Sequence, residues 1–337
     1  MHLKSRLLEW MGGGKGDFAE LSLEVFRHQF SANAAYRNYC EALGKTPETI
    51  TSWREIPAIP TDAFKLPGVA LRGFPESETI GHFLTSGTTT ETKGKHEFRD
   101  LGLYEASVLG AWQLLGLPEI GRPWFFSQRP ADNPHSSLVR MFEILSWRAV
   151  LPGGLWLIDS EGKLQLEKFL PEQPAALLGT SLALLRACDE MAPIELPDGS
   201  WIFETGGSKG LRKSFTTAEV RARLSAHFGV PESRILNEYG MTELFSQFYK
   251  WGDAQTHTGP PWTGVRVTDV HTGEAAAIGG IGYLEIIDLA NLDTVAAIRT
   301  QDLAIAVGDR EFILIGRDPA AIARGCSRGV EDVLGFR

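Results

Sequence analysis

Apolar residues in the first 65 positions recur three and four apart, through LKSRLLEWM and then DFAELSLEVFRHQFSANAAYRNYCEALG, which predicts helices. Pro47, Pro57 and Pro60 end that regime, and IPAIPTDAFK reads as a rigid extended connector. From about Gly81 the pattern changes to short apolar runs, each followed by a Gly/Ser/Thr turn and an amphipathic stretch, as expected of α/β layers. PWFFS, GLWLID, AALLGT, WIFETGG and RILNEYG are candidate strands, and helices are expected over 101–116, 136–148, 180–191 and 215–228. After Gly264 the chain becomes a meander of short strands: GVRVTDV, GYLEIID, AAIRTQD, LAIAVG and EFILIGR. The expected organisation is a helical segment 1–65, an α/β core 66–263, a small β subdomain 264–315, and a C-terminal remnant 316–337, with DAQTHTGPPWTG as the best linker.

Composition narrows the function. With 337 residues, 43% of them hydrophobic and 22% charged, the chain can bury a large core. The net charge of −9 is spread along the sequence with no basic block, which argues against a nucleic-acid partner. An anionic ligand must therefore be drawn in by a local cluster of donors and cations. Cys40, Cys188 and Cys326 are far apart and show neither disulfide nor zinc spacing. The N-terminal residues lack the apolar core of a signal peptide and no apolar run reaches bilayer length, so a cytoplasmic protein without membrane insertion is expected.

Ligands of open α/β sheets gather beyond the carboxyl ends of strands. Three predicted strands here run into polar or glycine-rich turns. Before them comes the most specific segment, SGTTTETKGKH from Ser86 to His96. Its small residues let backbone N–H groups turn toward a polyanion, its hydroxyls donate, and lysine adds charge. The spacing is not that of a Walker loop, and a plain Ser/Thr-rich turn is the competing reading. At 237–243 the chain reads NEYGMTE, where Tyr239 can stack on a base, Thr242 can meet a phosphate, and Glu243 can hold Mg²⁺. ETGGSKG at 204–210 brings backbone close to a ligand or forms a tight strand-to-helix turn.

Taken together and in order, these segments resemble the adenylate-forming superfamily of acyl-CoA synthetases, luciferases and peptide-synthetase adenylation domains, and within it the acyl-protein synthetases of bacterial bioluminescence. The resemblance implies the N-terminal core of such an enzyme: layered α/β subdomains with a small β subdomain and a truncated C-terminal lid. It implies that Ser86, Gly87, Thr88, Thr89, Thr90 and Lys93 face the phosphates of ATP, with Thr90 standing for the usual glycine. Gly206, Gly207 and Ser208 would line the adenine pocket. In NEYGMTE, spanning Glu238, Tyr239 and Gly240, the aromatic would contact adenine, Thr242 the α-phosphate, and Glu243 the Mg²⁺. RTQD resembles a motif whose aspartate, here Asp302, holds the ribose, although Gln301 replaces its glycine. GRDPAAIARGCS resembles the hinge motif and gives Arg317 a ribose contact.

The implied reaction is ATP-dependent conversion of a fatty or aryl carboxylic acid into an acyl-adenylate, followed by transfer to a thiol. Short acyl-protein synthetases use a cysteine near their C-terminus before passing the acyl group to a reductase, which nominates Cys326; an inert small residue is the alternative. A coenzyme A ligase of the phenylacetate type, an acyl-carrier protein as acceptor, and a nucleotide-binding scaffold without turnover are the rival readings. His135 and His82 suit capping or buried hydrogen-bonding roles as well as catalytic ones. Trp112, Trp124, Phe125 and Phe126 suit a core as well as an acyl pocket.

Overall fold

A computed structural model describes residues 2–85, 93–150, 154–206 and 215–318. By packing, the described residues within Met1–Leu115, Met241–Ser246 and Thr258–Arg337 form one unit, and those within Gly116–Gly240 and Gln247–His257 form a second. Segments distant in sequence meet in the first unit, so this spatial division and the linear one expected above are cuts of different kinds.

The second unit carries the predicted α/β pattern. Parallel strands lie in the order Leu155–Trp156, Arg122–Phe126, Ala175–Thr180, Trp201–Thr205, Ile235–Tyr239, and Phe248–Trp251 joins the last of them antiparallel. Strands buried on both faces read as continuous apolar runs, as Ala175–Leu178 do here, each at most 2% exposed. Successive side chains point to opposite faces of a strand. Phe125 therefore packs on Phe142 of helix Ser137–Ser146, while Phe126 packs on Phe228 of helix Thr217–Phe228. Helices thus cover both faces. Their ends are specified locally: Thr180 caps helix Ser181–Glu190, Thr216 and Glu219 form a reciprocal capping box, and Gly229 closes the last helix at φ +64°.

In the first unit the meander Thr263–Thr268, Ile281–Asp288, Ala297–Gly308, Glu311–Arg317 is antiparallel throughout, and Ile59–Pro60 pairs parallel with Ala297–Gly308. AAIRTQD and LAIAVG, read from the pattern as two strands, are one twelve-residue strand, because no Gly or Pro interrupts QDLA and a register shift at Leu303/Ala304 absorbs the irregularity. The N-terminal helical text breaks at Asn33. Its backbone N–H ends helix Phe18–Ala32 on the Gln29 carbonyl, and its side chain caps Tyr36 to start helix Ala34–Ala42. A two-stranded hairpin, Gly81–Leu84 with Lys95–Phe98, flanks the Ser/Thr-rich segment.

The residues after the second motif are held by a buried carboxylate. Asp288 accepts the backbone N–H groups of Phe245 (2.8 Å), Ser246 (2.7 Å) and Ala290 (3.0 Å) and the Ser246 hydroxyl (2.6 Å). With that hydroxyl proton committed, Ser107 must donate to Ser246, and the Trp262 indole N–H is shared between Ser107 at 2.9 Å and Ser246 at 3.2 Å. Asn291 adds a bond from its amide to the Glu243 carbonyl at 2.8 Å. Removing the carboxylate leaves buried donors unpaired, which costs roughly 3–5 kcal/mol. Asp288→Ala is expected to lower the unfolding free energy by that much, read as a lower urea midpoint at unchanged slope; a loss under about 1 kcal/mol would contradict the assignment.

Candidate functional site

Two of the motifs meet in the first unit. The Ser/Thr-rich segment leaves and re-enters the hairpin through a closed neck, where Thr85 N–H donates to the Gly94 carbonyl at 2.9 Å and Gly94 N–H to the Thr85 hydroxyl at 2.8 Å. A Cβ at Gly94 would stand 2.9 Å from the Thr85 methyl and 3.4 Å from Phe64, so this neck requires glycine. Ser86, Gly87, Thr88, Thr89 and Thr90 lie outside the described residues, and Lys93, the first described residue after them, is exposed. Against the same hairpin lies Thr242, its hydroxyl 3.4 Å from the Leu84 carbonyl.

His96 fastens the two together. It is 1% exposed, with Nδ1 2.8 Å from the Thr242 carbonyl and Nε2 3.0 Å from the Thr294 hydroxyl. A carbonyl only accepts, so Nδ1 carries the proton and Nε2 accepts from Thr294, which defines the neutral tautomer. Burial lowers the imidazole to about 4, keeping that tautomer through the neutral range. The ring stacks on Phe245 at 4.6 Å and 18° and meets the edge of Phe64. Sequence reading passed over this histidine, and only its place at the end of the SGTTTETKGKH segment hinted at it.

Glu243 is 6% exposed, and burial raises its carboxyl to about 7, against the pull of its own backbone N–H, Lys65 and Arg317. Among the described residues no three His, Cys, Asp or Glu side chains gather as a metal cage. A lone buried carboxylate nevertheless fits Mg²⁺, which takes one or two carboxylates and completes its shell with water and substrate phosphates. Asp302 and Arg317 are register partners on adjacent strands. The Arg317 guanidinium donates to the Gln301 side-chain oxygen at 2.7 Å, and the Gln301 amide donates to Asp62 at 2.7 Å. Gln301, where the resembling motif has glycine, thus ties the strand to the short 3-10 helix Thr61–Lys65.

The rest of the motif set lies in the second unit, since the chain changes unit after Gly240. Tyr239 is 8% exposed, its ring edge-on to Phe248 and His257. Glu238, at the carboxyl end of its strand, accepts from the Thr205 hydroxyl, and a Cβ at Gly240 would overlap its Oε1. Burial and the neighbouring Glu204 carboxyl raise Glu238 to about 7. Glu204 itself is raised by burial while accepting from Ser181 and Asn237, and His257 Nε2 donates to the Asn237 oxygen at 2.7 Å. Gly206 sits at φ +79°, a conformation that favours glycine; Gly207 and Ser208 lie outside the described residues, as does Cys326. Trp112, Trp124, Phe125 and Phe126 are all core, at most 2% exposed, and His135 is exposed. Burial raises the Cys40 and Cys188 thiols to about 12. Among the described residues no helix is long and apolar enough to cross a membrane.

No family model matches the chain. A 69-residue stretch, 20% of this chain and 57% of the relative, is 38% identical to the long-chain-fatty-acid–luciferin-component ligase of Photorhabdus luminescens. The structure superposes on 2-hydroxyisobutyryl-CoA ligase in the postadenylation state with 2-HIB-AMP at TM-score 0.64 and 14% identity, covering 89% of this chain and 67% of that one. The open conformation of that ligase, with 2-HIB-AMP and CoA, gives TM-score 0.62 and 16% identity over 89% of this chain and 74% of that one. The match spans little more than half of the curated relative, and 48% of an ATP-bound RpMatB–BxBclM chimera that aligns at TM-score 0.48 and 17% identity over 71% of this chain. The fold is that of these acyl-CoA ligases, the core fold that the resemblance implied. The local sequence match is to the luciferin-component ligase over those 69 residues alone.

The raised carboxyls make stability pH-dependent. Glu238 titrates near 4.5 when unfolded and about 7 when buried, so between those values the native state holds a proton that the unfolded chain has released. Stability should fall as pH rises through this window and level off above it. Thermal midpoints measured from pH 4.5 to 8 are expected to fall less steeply in Glu238→Gln than in the parent; identical slopes would contradict the assignment.

Proposed function

We propose that this protein activates a carboxylic acid as its acyl-adenylate, with release of pyrophosphate from ATP, and passes the acyl group to a thiol. The observation that carries this reading is the junction in the first unit, where the neck of the Ser/Thr-rich loop, Thr242–Glu243 and the Gln301–Asp302 strand adjoin the same short helix or hairpin. A carboxylate resists acyl transfer because its oxygen is a poor leaving group. Attack on the α-phosphate turns that oxygen into part of an AMP leaving group, and the protein's task is to position the reactants and stabilise charge at an in-line phosphoryl centre.

Lys93 and the loop hydroxyls from Ser86 to Thr90 serve as phosphate donors on this reading, and Thr242 contacts the α-phosphate. Glu243 would hold Mg²⁺, which when bound neutralises phosphate charge. Asp302 and Arg317 take the ribose. Tyr239, Gly206, Gly207 and Ser208 keep the adenine role that the resemblance gives them. Similarity to a long-chain-fatty-acid ligase supports a fatty acid as substrate. Cys326 is the proposed enzyme-borne acceptor, before transfer to a reductase or carrier protein. Supporting it, the thiols of Cys40 and Cys188 are raised to about 12 and carry almost no thiolate near neutral pH.

Hydroxylamine trapping across carboxylic acids of graded chain length tests the reaction and reports the substrate class together. Acid-dependent hydroxamate is expected, with a maximum among long chains; its absence with every acid would overturn the proposal. Lys93→Ala should reduce the rate roughly a hundred- to a thousandfold, and full turnover in that variant would remove the loop from the site. After incubation with ATP and acid but no added thiol, the intact mass should rise by one acyl group in the parent and not in Cys326→Ser; acyl mass kept in the variant assigns the acceptor elsewhere.

A further inference from the structure

One element that meets both the Gly94 neck and the Gln301 strand of the first-unit site is one the motifs do not include. The 3-10 helix Thr61–Lys65, predicted only as a connector, packs Phe64 against the Gly94 neck and against the edge of His96. From the same turn Asp62 divides its two carboxylate oxygens: Oδ2 accepts from Gln301 at 2.7 Å, and Oδ1 accepts from the Lys65 ammonium at 3.0 Å. Lys65 also opposes the rise of the buried Glu243 carboxyl, more strongly than Arg317 does. Its side chain retains 32% exposure, so the ammonium is neither in the core nor free in solvent. An ammonium has three donors. Among the described residues Asp62 takes one.

We infer that Lys65 is a phosphate-binding cation of this site, held by the Asp62–Gln301 bracket with its remaining N–H groups available to the phosphates of a bound nucleotide. The inference rests on the nucleotide reading above and adds a residue that the resemblance does not supply. Its physical basis is preorganisation. A free lysine loses several rotamers on binding a phosphate, whereas one already fixed by Asp62 loses fewer and keeps its charge in place. The bracket also gives Gln301 a purpose that glycine could not serve, because a glycine there has no amide to orient Asp62. The Lys65–Asp62 pair is charge-balanced at rest, and the excess positive charge needed to attract an anion comes from Arg317, which donates to Gln301 in the same bracket.

The test separates charge recognition from support of the fold. Calorimetric titration of the full chain with ATP and with adenosine, which shares the base and ribose but has no phosphate, is made on the parent, Lys65→Met and Lys65→Arg. Losing one charge-assisted hydrogen bond is expected to weaken ATP binding by ~10- to 100-fold in Lys65→Met. Adenosine binding should be unchanged, and Lys65→Arg should recover most of the ATP affinity. Equal weakening of ATP and adenosine would show Lys65 to be structural and overturn the inference, as would unchanged ATP affinity in Lys65→Met. A parent that binds neither ligand would fail the nucleotide reading itself, and with it this inference. Asp62→Asn, which keeps the shape and removes the charge that holds Lys65, is expected to weaken ATP binding by a smaller factor with adenosine again unaffected; ATP affinity unchanged in this variant would remove the bracket.

Discussion

Residues 242–246 form a short irregular segment with no strand or helix to satisfy its backbone, so side chains must do so. Asp288 and Asn291 take the N–H groups and carbonyl at one end, while His96 takes the Thr242 carbonyl and stacks on Phe245. Apart from the half-buried Thr242 these groups are buried, and an unsatisfied buried donor or carbonyl costs free energy comparable to a lost hydrogen bond. The segment therefore has one low-energy path through the unit. That path sets Thr242 against the hairpin and buries Glu243 near Lys65.

Electrostatics follow from that placement. A protein of net charge −9 repels a nucleotide at long range. At short range the first unit brings Lys65 and Arg317 to bear on a carboxyl that burial raises to about 7. Glu243 would ionise readily only when a cation is bound against it, so metal binding and release of a proton are coupled. The resting site carries little internal repulsion. In the second unit the paired carboxyls Glu204 and Glu238 show the same principle, with hydroxyl and amide donors from Ser181, Thr205 and Asn237 balancing burial.

The α/β pattern was legible because strands buried on both faces must be apolar along their length and because their helices begin at Thr180, Ser136 and Thr216, residues that cap through their own side chains. The three motif segments were legible because glycine, hydroxyl and acidic residues are concentrated there to a degree that packing alone does not require. Other features could not be read locally. The strands GHFL and KHEF are four residues each and have no period to detect. Asn33 interrupts a continuous helical pattern because its side chain also bonds the Thr294 carbonyl, 261 positions away. Lys65 and Asp62 lie in a segment that reads only as a connector; their meaning comes from Gln301, 239 positions from Asp62. His96 likewise acquires its role from Thr242 and Thr294. Residue type and spacing report what a segment can do, whereas its partners are set by tertiary structure.

The central claim is that the polar junction of the first unit serves chemistry at the α-phosphate of ATP. Exchange of labelled pyrophosphate into ATP measures the reverse of adenylation and needs no acyl acceptor, so it isolates that step from the identity of the thiol. The account predicts exchange that depends on both a carboxylic acid and Mg²⁺. Tight ATP binding with no exchange under any long-chain, short-chain or aryl acid would contradict it.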